Sequence, residues 1–141
     1  SLRTRIQRYI RRMKLENKIF VLGFVSHGQL YSLLKDADAL VMPSIWPENS
    51  PLIALEALSL GTPVIASNKG GLPEIVSKID KNLMYDSLEE LKNMLLNFDK
   101  KKYERHKIKA IYEKYYSPQS YIKRYFSLIL HQTSRPIQLC E

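Results

Sequence analysis

Cysteine is nearly absent: the 141 residues contain one, Cys140, close to the C-terminus. A single thiol excludes an intrachain disulfide and a cysteine-based metal cluster, and it fits a reducing, cytoplasmic setting. Histidine is scarce as well, with only His27, His106 and His131. His106 and His131 fall on basic helical stretches and read as surface residues. No Ser-His-Asp or Cys-His arrangement emerges. There are five glycines, and the one pair, Gly70-Gly71, is too short for a phosphate loop and has no P-loop lysine. It reads as a tight turn, or as a close approach of backbone to a ligand. No apolar run nears the roughly 20 residues that span a bilayer. The arginines near the N-terminus are not followed by the apolar stretch of a signal peptide.

Charge is abundant, with 22 Lys/Arg against 14 Asp/Glu for a net +8. Residues 1–18 carry seven Lys/Arg and one Glu, net +6. Residues 19–99 carry five Lys and ten Asp/Glu, net −5, and residues 100–141 carry ten Lys/Arg and three Glu, net +7. Basic segments thus flank an acidic middle that holds all five glycines and five of the seven prolines. A high net charge invites a nucleic-acid reading. Tyrosines interleaved with Lys/Arg over 103–125 are its best support, with anionic lipid as the related option. An ordinary amphipathic pattern, rings inward and lysines outward, accounts for the same stretch. Hydrophobic residues make up 45% and charged residues 26%, as in a folded globular chain.

Periodicity predicts an amphipathic basic helix over 2–15, with Leu2, Ile6, Ile10 and Met13 on one face. Continuous apolar runs predict buried strands at 19–23, 39–42, 63–66 and, more weakly, 82–85. Between and after them fall helices at about 28–35 (N-cap Ser26), 52–60, 73–76 and 88–98 (cap Ser87), then 101–116 and 118–131 behind a Ser117 cap. Apolar strands alternating with helices argue for a parallel sheet covered on both faces, here four units of a doubly wound α/β fold. Ligands in such folds bind beyond the carboxyl ends of the strands.

The loop after 39–42 is the most informative: Pro43-Ser44-Ile45-Trp46-Pro47-Glu48-Asn49-Ser50-Pro51. It leads into a helix N-terminus, whose free N–H groups and dipole suit a phosphate. Glu48 and Glu56 flank that point as acceptors for hydroxyls. A phosphate cradle between two hydroxyl acceptors is the shape of a sugar-nucleotide site; a solvated loop acid and a helix-surface acid are the plainer alternative. Asp36-Ala37-Asp38 has the form of a metal motif, but its place between a helix end and a strand reads as loop polarity, so no metal is expected. His27 stands beside Ser26 and Gly28 as a ligand contact or a solvated loop residue.

Asn17 to Tyr85 resembles the donor-binding half of retaining glycosyltransferases with the GT-B fold, and more narrowly family four of these enzymes (the group 1 glycosyl transferases). The motifs, in order, are LGFVS from Leu22, ADALVMPS from Ala37, the Glu-x7-Glu pair Glu48–Glu56, GTPVIAS from Gly61 and GGLPE from Gly70. The match is close over 17–85, while the helices over 101–131 agree only in layout. The resemblance implies a Rossmann-like C-terminal domain. It assigns Glu56 to the ribose hydroxyls of the nucleotide and Glu48 to hydroxyls of the donor sugar. Asn49, Ser50, Pro51 and Leu52 become the backbone beside sugar and diphosphate, and Ser26 a neighbour of the base. Many members have Gly-Phe-Gly-Leu where this chain has Asn49-Ser50-Pro51-Leu52, so Pro51 offers no N–H there. Glu74 of GGLPE is expected to be structural.

The resemblance also implies what lies elsewhere in such enzymes: an N-terminal acceptor domain, and an Arg/Lys pair that neutralises the diphosphate. Residues 1–141 are therefore expected to be part of a C-terminal domain, with no complete catalytic set and no activity alone. The implied reaction moves a hexose from a nucleoside-diphosphate sugar to a hydroxyl acceptor with retention, with no cofactor beyond the donor. The basic flanking segments, apart from the resemblance, suggest the partner domain or an anionic membrane surface as what they face in the parent chain, and nucleic acid is not expected. The alternatives are a basic α/β module for nucleic acid or anionic membrane, and a nucleotide-sugar epimerase on the same fold.

Overall fold

The computed structural model describes residues 1–47, 49 and 51–133. Seven helices and three strands occur among them: α1 (Leu2–Arg12), α2 (His27–Asp36), β1 (Leu40–Met42), α3 (Leu52–Ser59), β2 (Val64–Ser67), α4 (Leu72–Val76), β3 (Met84–Tyr85), α5 (Leu88–Leu96), α6 (Arg105–Tyr115) and α7 (Pro118–Thr133). Cys140 lies outside the described residues, as do Glu48 and Ser50. The chain divides into two compact units, Ser1–Leu30 and Tyr31–Glu141.

In the first unit α1 stops three residues earlier than its apolar spacing suggests. Lys14 adopts a left-handed φ of 55°. The Leu15 N–H reaches the Ile10 carbonyl and the Lys14 N–H reaches that of Arg11, both at 3.0 Å. Those bonds satisfy the last carbonyls and close the helix. The expected strand at 19–23 does not form. Ile19, Phe20 and Leu22 are exposed, and the described residues offer this run no strand to pair with. A strand is made by its ladder partner, so apolar composition alone does not produce one.

In the second unit the sheet has three strands, not four, all parallel in the order β1-β2-β3. Leu40, Val41 and Met42 stand opposite Val64, Ile65 and Ala66, while Ala66 and Ser67 stand opposite Met84 and Tyr85. β2 is central and every residue in it is buried, as expected where helices cover both faces of a parallel sheet. The 82–85 run is only half strand, because Lys81–Leu83 winds into a 3₁₀ turn capped by the Asp80 carboxylate. Likewise 101–116 begins with a 3₁₀ turn at Lys100–Lys102 before α6. Ala54, Ala57 and Leu58 of α3, Leu72 and Val76 of α4, Leu83 and Ile108 fill the core around Val64 and Ile65. α3 packs on α6, α4 on β2, and α7 on α6. The chain is an α/β protein with a parallel sheet, consistent with a Rossmann-like GT-B C-terminal domain.

α3 shows how local rules set the element beside the candidate loop. Pro51, at φ −71°, stands just before the first turn, where a missing N–H costs little. At the other end Gly61 takes φ +80°, and the N–H groups of Gly61 and Thr62 bond the carbonyls of Leu58 and Ala57 at 2.9 and 2.8 Å.

Candidate functional site at the carboxyl edge of the sheet

The loop from Pro43 to Pro51 leaves the carboxyl end of β1, and neighbouring strand ends hold it. The Ser67 hydroxyl donates to the Ser44 carbonyl at 2.8 Å, and the Tyr85 hydroxyl donates to the Met42 carbonyl at 3.4 Å. Lys69 Nζ reaches the Ile45 carbonyl at 3.5 Å. Both β2 and β3 therefore position the start of this loop. Tyr85 is buried, and that burial raises its phenol above the ordinary range.

The loop delivers Asn49, exposed, and Pro51, buried, to the N-terminus of α3. Pro51 gives that end no side-chain cap. The first-turn N–H groups and the dipole of α3 therefore face the loop without a protein hydroxyl or carboxylate capping them through Pro51. Leu52 opens the helix, largely exposed. Glu56 follows four residues later on the same face and is half-buried. Of the seven residues singled out from the sequence, Asn49, Pro51, Leu52 and Glu56 thus meet at one end of one helix. Glu48 and Ser50 flank them in the chain but lie outside the described residues.

Ser26 belongs to the first unit, where it has a structural task. Its N–H and hydroxyl donate to Gln29 Oε1 at 2.9 and 3.0 Å, and its hydroxyl accepts from the Gln29 N–H at 3.4 Å. This reciprocal arrangement is a capping box for α2. His27 is the first residue of that helix and is exposed. Asp38 pairs with Lys100 Nζ at 3.1 Å, as loop polarity would have it. Among the described residues no group of three His, Cys, Asp or Glu is placed to hold a metal ion.

A cleft of about 640 Å³ opens beside the same edge. Asn49 of the β1 loop, Gly71 of the β2 loop and Leu55 of α3 form one side; Glu74, Ser77 and Lys78 come from α4 and its end. Tyr115, Tyr116 and Arg124 close it from α6 and α7. Leu55 and Glu56 are one residue apart, hence about 100° apart around α3. The cleft and the Glu56 face are adjacent and distinct. Gly70, at φ +59°, makes the turn that brings Gly71 to the cleft, where a side chain bearing Cβ would be disfavoured. The Tyr116 hydroxyl donates to the Glu74 carbonyl at 3.0 Å. That bond ties the Glu74 backbone to the end of α6, and the residue also lines the cleft. Burial raises the Tyr116 phenol, the Glu74 charge adds to the rise, and Arg124 opposes it. Lys78 Nζ lies over the Tyr115 ring, 5.2 Å from its centroid. Sequence reading missed this cleft, because only the packing of α4, α6 and α7 brings Lys78 and Arg124 together.

Residues 1–114 match the family described as Glycosyl transferases group 1. The chain belongs to this family. The group 1 match spans the β1 loop, α3 and Glu74 to Lys78, and ends just before Tyr115. Similar proteins include an uncharacterized glycosyltransferase of Methanocaldococcus jannaschii, 45% identical over 62 residues, which are 44% of this chain and 16% of that protein. A glycogen synthase of Mycobacterium tuberculosis is 50% identical over 54 residues, 38% of this chain and 13% of that protein. A putative colanic acid biosynthesis glycosyltransferase of Salmonella typhimurium is 35% identical over 80 residues, 53% of this chain and 19% of that protein. The chain thus matches about a fifth or less of the length of these relatives. No solved structure matches significantly. No helix among the described residues is long and apolar enough to cross a membrane.

Proposed function

We infer that the chain is the donor-nucleotide part of a retaining, family-four glycosyltransferase. The parent moves a hexose from a nucleoside-diphosphate sugar to a hydroxyl acceptor. The observation that carries this reading is the β1–loop–α3 unit. A loop at the carboxyl edge of a parallel sheet ends at a helix N-terminus to which Pro51 gives no side-chain cap, with Glu56 one turn in. The diphosphate lies against that N-terminus, where Asn49, Ser50 and Leu52 have backbone N–H groups to offer and Pro51 has none. Glu56 takes the ribose hydroxyls, Glu48 the donor sugar, and Ser26 neighbours the base. Helix dipole and cations stabilise the departing diphosphate, the largest electrostatic contribution in such a transfer.

On this reading the acceptor domain and the diphosphate-neutralising Arg/Lys pair come from the rest of a longer parent chain. Residues 1–141 alone turn over no donor and bind it weakly. No metal or further cofactor takes part. The protein works in the cytoplasm, peripheral to a membrane, and nucleic acid is not a partner. The test is a titration of the chain with UDP and GDP, followed by amide NMR. Shifts at Asn49 and Leu52 that vanish in Glu56→Ala support the donor reading. Shifts indifferent to Glu56 refute it; transferase turnover by the chain alone refutes only the statement that the catalytic set is completed by the rest of the parent.

A second reading, a basic module for an anionic surface, has α7 in its favour. Tyr121, Ile122, Tyr125, Phe126 and Leu128 are exposed there beside Lys123 and Arg124. Vesicles with phosphatidylserine that fail to retain the chain at low salt would remove it.

A further inference from the structure

Trp46 is the one tryptophan of the chain, and it is 80% exposed. An indole carries a large apolar face, and leaving it in water forgoes the gain that burial would bring. Its place sets it apart from the other exposed aromatics of the second unit. Tyr31 stands on α2, and Tyr121, Tyr125 and Phe126 stand on α7. Trp46 alone among them stands on a loop at the carboxyl edge of the sheet, where ligands of such folds bind.

The backbone that presents the indole is held. The Ser67 hydroxyl bonds the Ser44 carbonyl at 2.8 Å. Lys69 Nζ reaches the Ile45 carbonyl, which belongs to the peptide leading into Trp46, at 3.5 Å. On the other side stands Pro47, and a residue before proline is disfavoured in the helical region and kept extended. These restraints lower the entropy that ordering the ring against a ligand would cost.

Chain order says which part of a donor the ring would meet. The donor reading puts the ribose on Glu56, the diphosphate along Asn49 to Leu52 and the hexose on Glu48. Trp46 precedes Glu48 by two residues, on the side away from Glu56. It therefore falls at the hexose end, with the diphosphate segment between it and the ribose. A hexopyranose offers hydroxyls at its rim and C–H groups on its faces. A carboxylate accepts from the hydroxyls, and the electron-rich face of an indole attracts the C–H groups. We propose that Trp46 packs its indole against the C–H face of the donor hexose and so distinguishes a nucleotide sugar from the bare nucleotide. The proposal rests on the donor reading.

The experiment uses the fluorescence of this single indole, excited at the red edge of its band, where neither the nucleobases nor the tyrosines absorb appreciably. The probes are UDP and UDP-glucose, and GDP and GDP-mannose, with amide NMR on the same samples. In at least one pair the nucleotide sugar is expected to change the indole emission where its nucleotide does not. Trp46→Ala should weaken that nucleotide sugar by about threefold to tenfold and leave the nucleotide unchanged. Trp46→Phe should keep most of the preference. Trp46 is exposed, so both variants should fold, which their spectra report. Three outcomes overturn the proposal and leave the donor reading standing. A nucleotide sugar may shift Asn49 and Leu52 without changing the emission, the bare nucleotide may change the emission equally, or Trp46→Ala may leave the ratio of the two affinities as it was. Nucleotides and nucleotide sugars that all fail to shift Asn49 and Leu52 overturn the donor reading and the role of Trp46 with it.

Discussion

Arg105 Nη1 donates to the Thr62 hydroxyl at 3.0 Å, and that hydroxyl in turn donates to the Leu34 carbonyl at 2.6 Å. The same guanidinium reaches the Ala37 carbonyl through Nη2 at 2.7 Å. One side chain of α6 thereby gathers the end of α2, the turn after α3 and the start of β2. Thr62 is fully buried, so water cannot replace these partners.

Thr62→Val should therefore destabilise the chain by about 1–3 kcal/mol, since it leaves the Leu34 carbonyl without this donor inside the core. Urea unfolding should show a lower midpoint with an unchanged slope. A midpoint equal to that of the parent chain would mean that water or backbone shifts satisfy the carbonyl.

Gly61→Ala should cost at least about 1 kcal/mol for the left-handed backbone alone. A Cβ there would also lie 2.7 Å from the Arg105 carbonyl oxygen. Gly28 is a control, because a Cβ at that position meets nothing within 4 Å. Thermal melts of the two alanine variants should separate clearly, with only Gly61→Ala strongly lowered.

These contacts mark where sequence reading stops. β1 and β2 were legible because both are short, continuous apolar runs bounded by Pro or Gly, and both found neighbours in the sheet. Ile19–Leu22 has the same composition and found none among the described residues, so it is exposed chain. The α3 boundaries were legible from Pro51 and Gly61, and with them the place of Glu56. Asn49 and Leu52 were singled out by the resemblance to group 1 glycosyl transferases, and they stand at the start of α3. Arg105 and Lys78 were not legible, because each looks like any other cation on an amphipathic helix. Their partners come from distant segments, and only tertiary packing selects them.

Tyr103 should make stability fall with pH at the alkaline end. Its hydroxyl donates to Asp80 Oδ2 at 3.0 Å, and burial, with that hydrogen bond and charge, pushes its phenol up to about 12. Between the ordinary value of 10.0 and about 12 the folded chain keeps a proton that the unfolded chain releases. The contribution is complete below pH 10 and is lost as pH rises through this window. Tyr85, Tyr112 and Tyr116 are raised as well and act in the same direction. The diagnostic quantity is thus the difference between the chain and Tyr103→Phe, whose stability should decline less steeply with pH. Parallel curves would show that Tyr103 ionises normally.

Ser26→Ala separates a structural duty from a binding one. Removing the hydroxyl deletes one half of the capping box with Gln29, and an N-cap of this kind contributes about 1 kcal/mol. Gln29→Ala removes the other half and should cost a similar amount, so the two losses should not add in the double variant. UDP titrations of the same variants read the other duty. If Ser26 also neighbours the base, Ser26→Ala should weaken UDP while Gln29→Ala, matched in stability, leaves it unchanged. Equal UDP affinity in both variants would confine Ser26 to capping and remove it from the donor site.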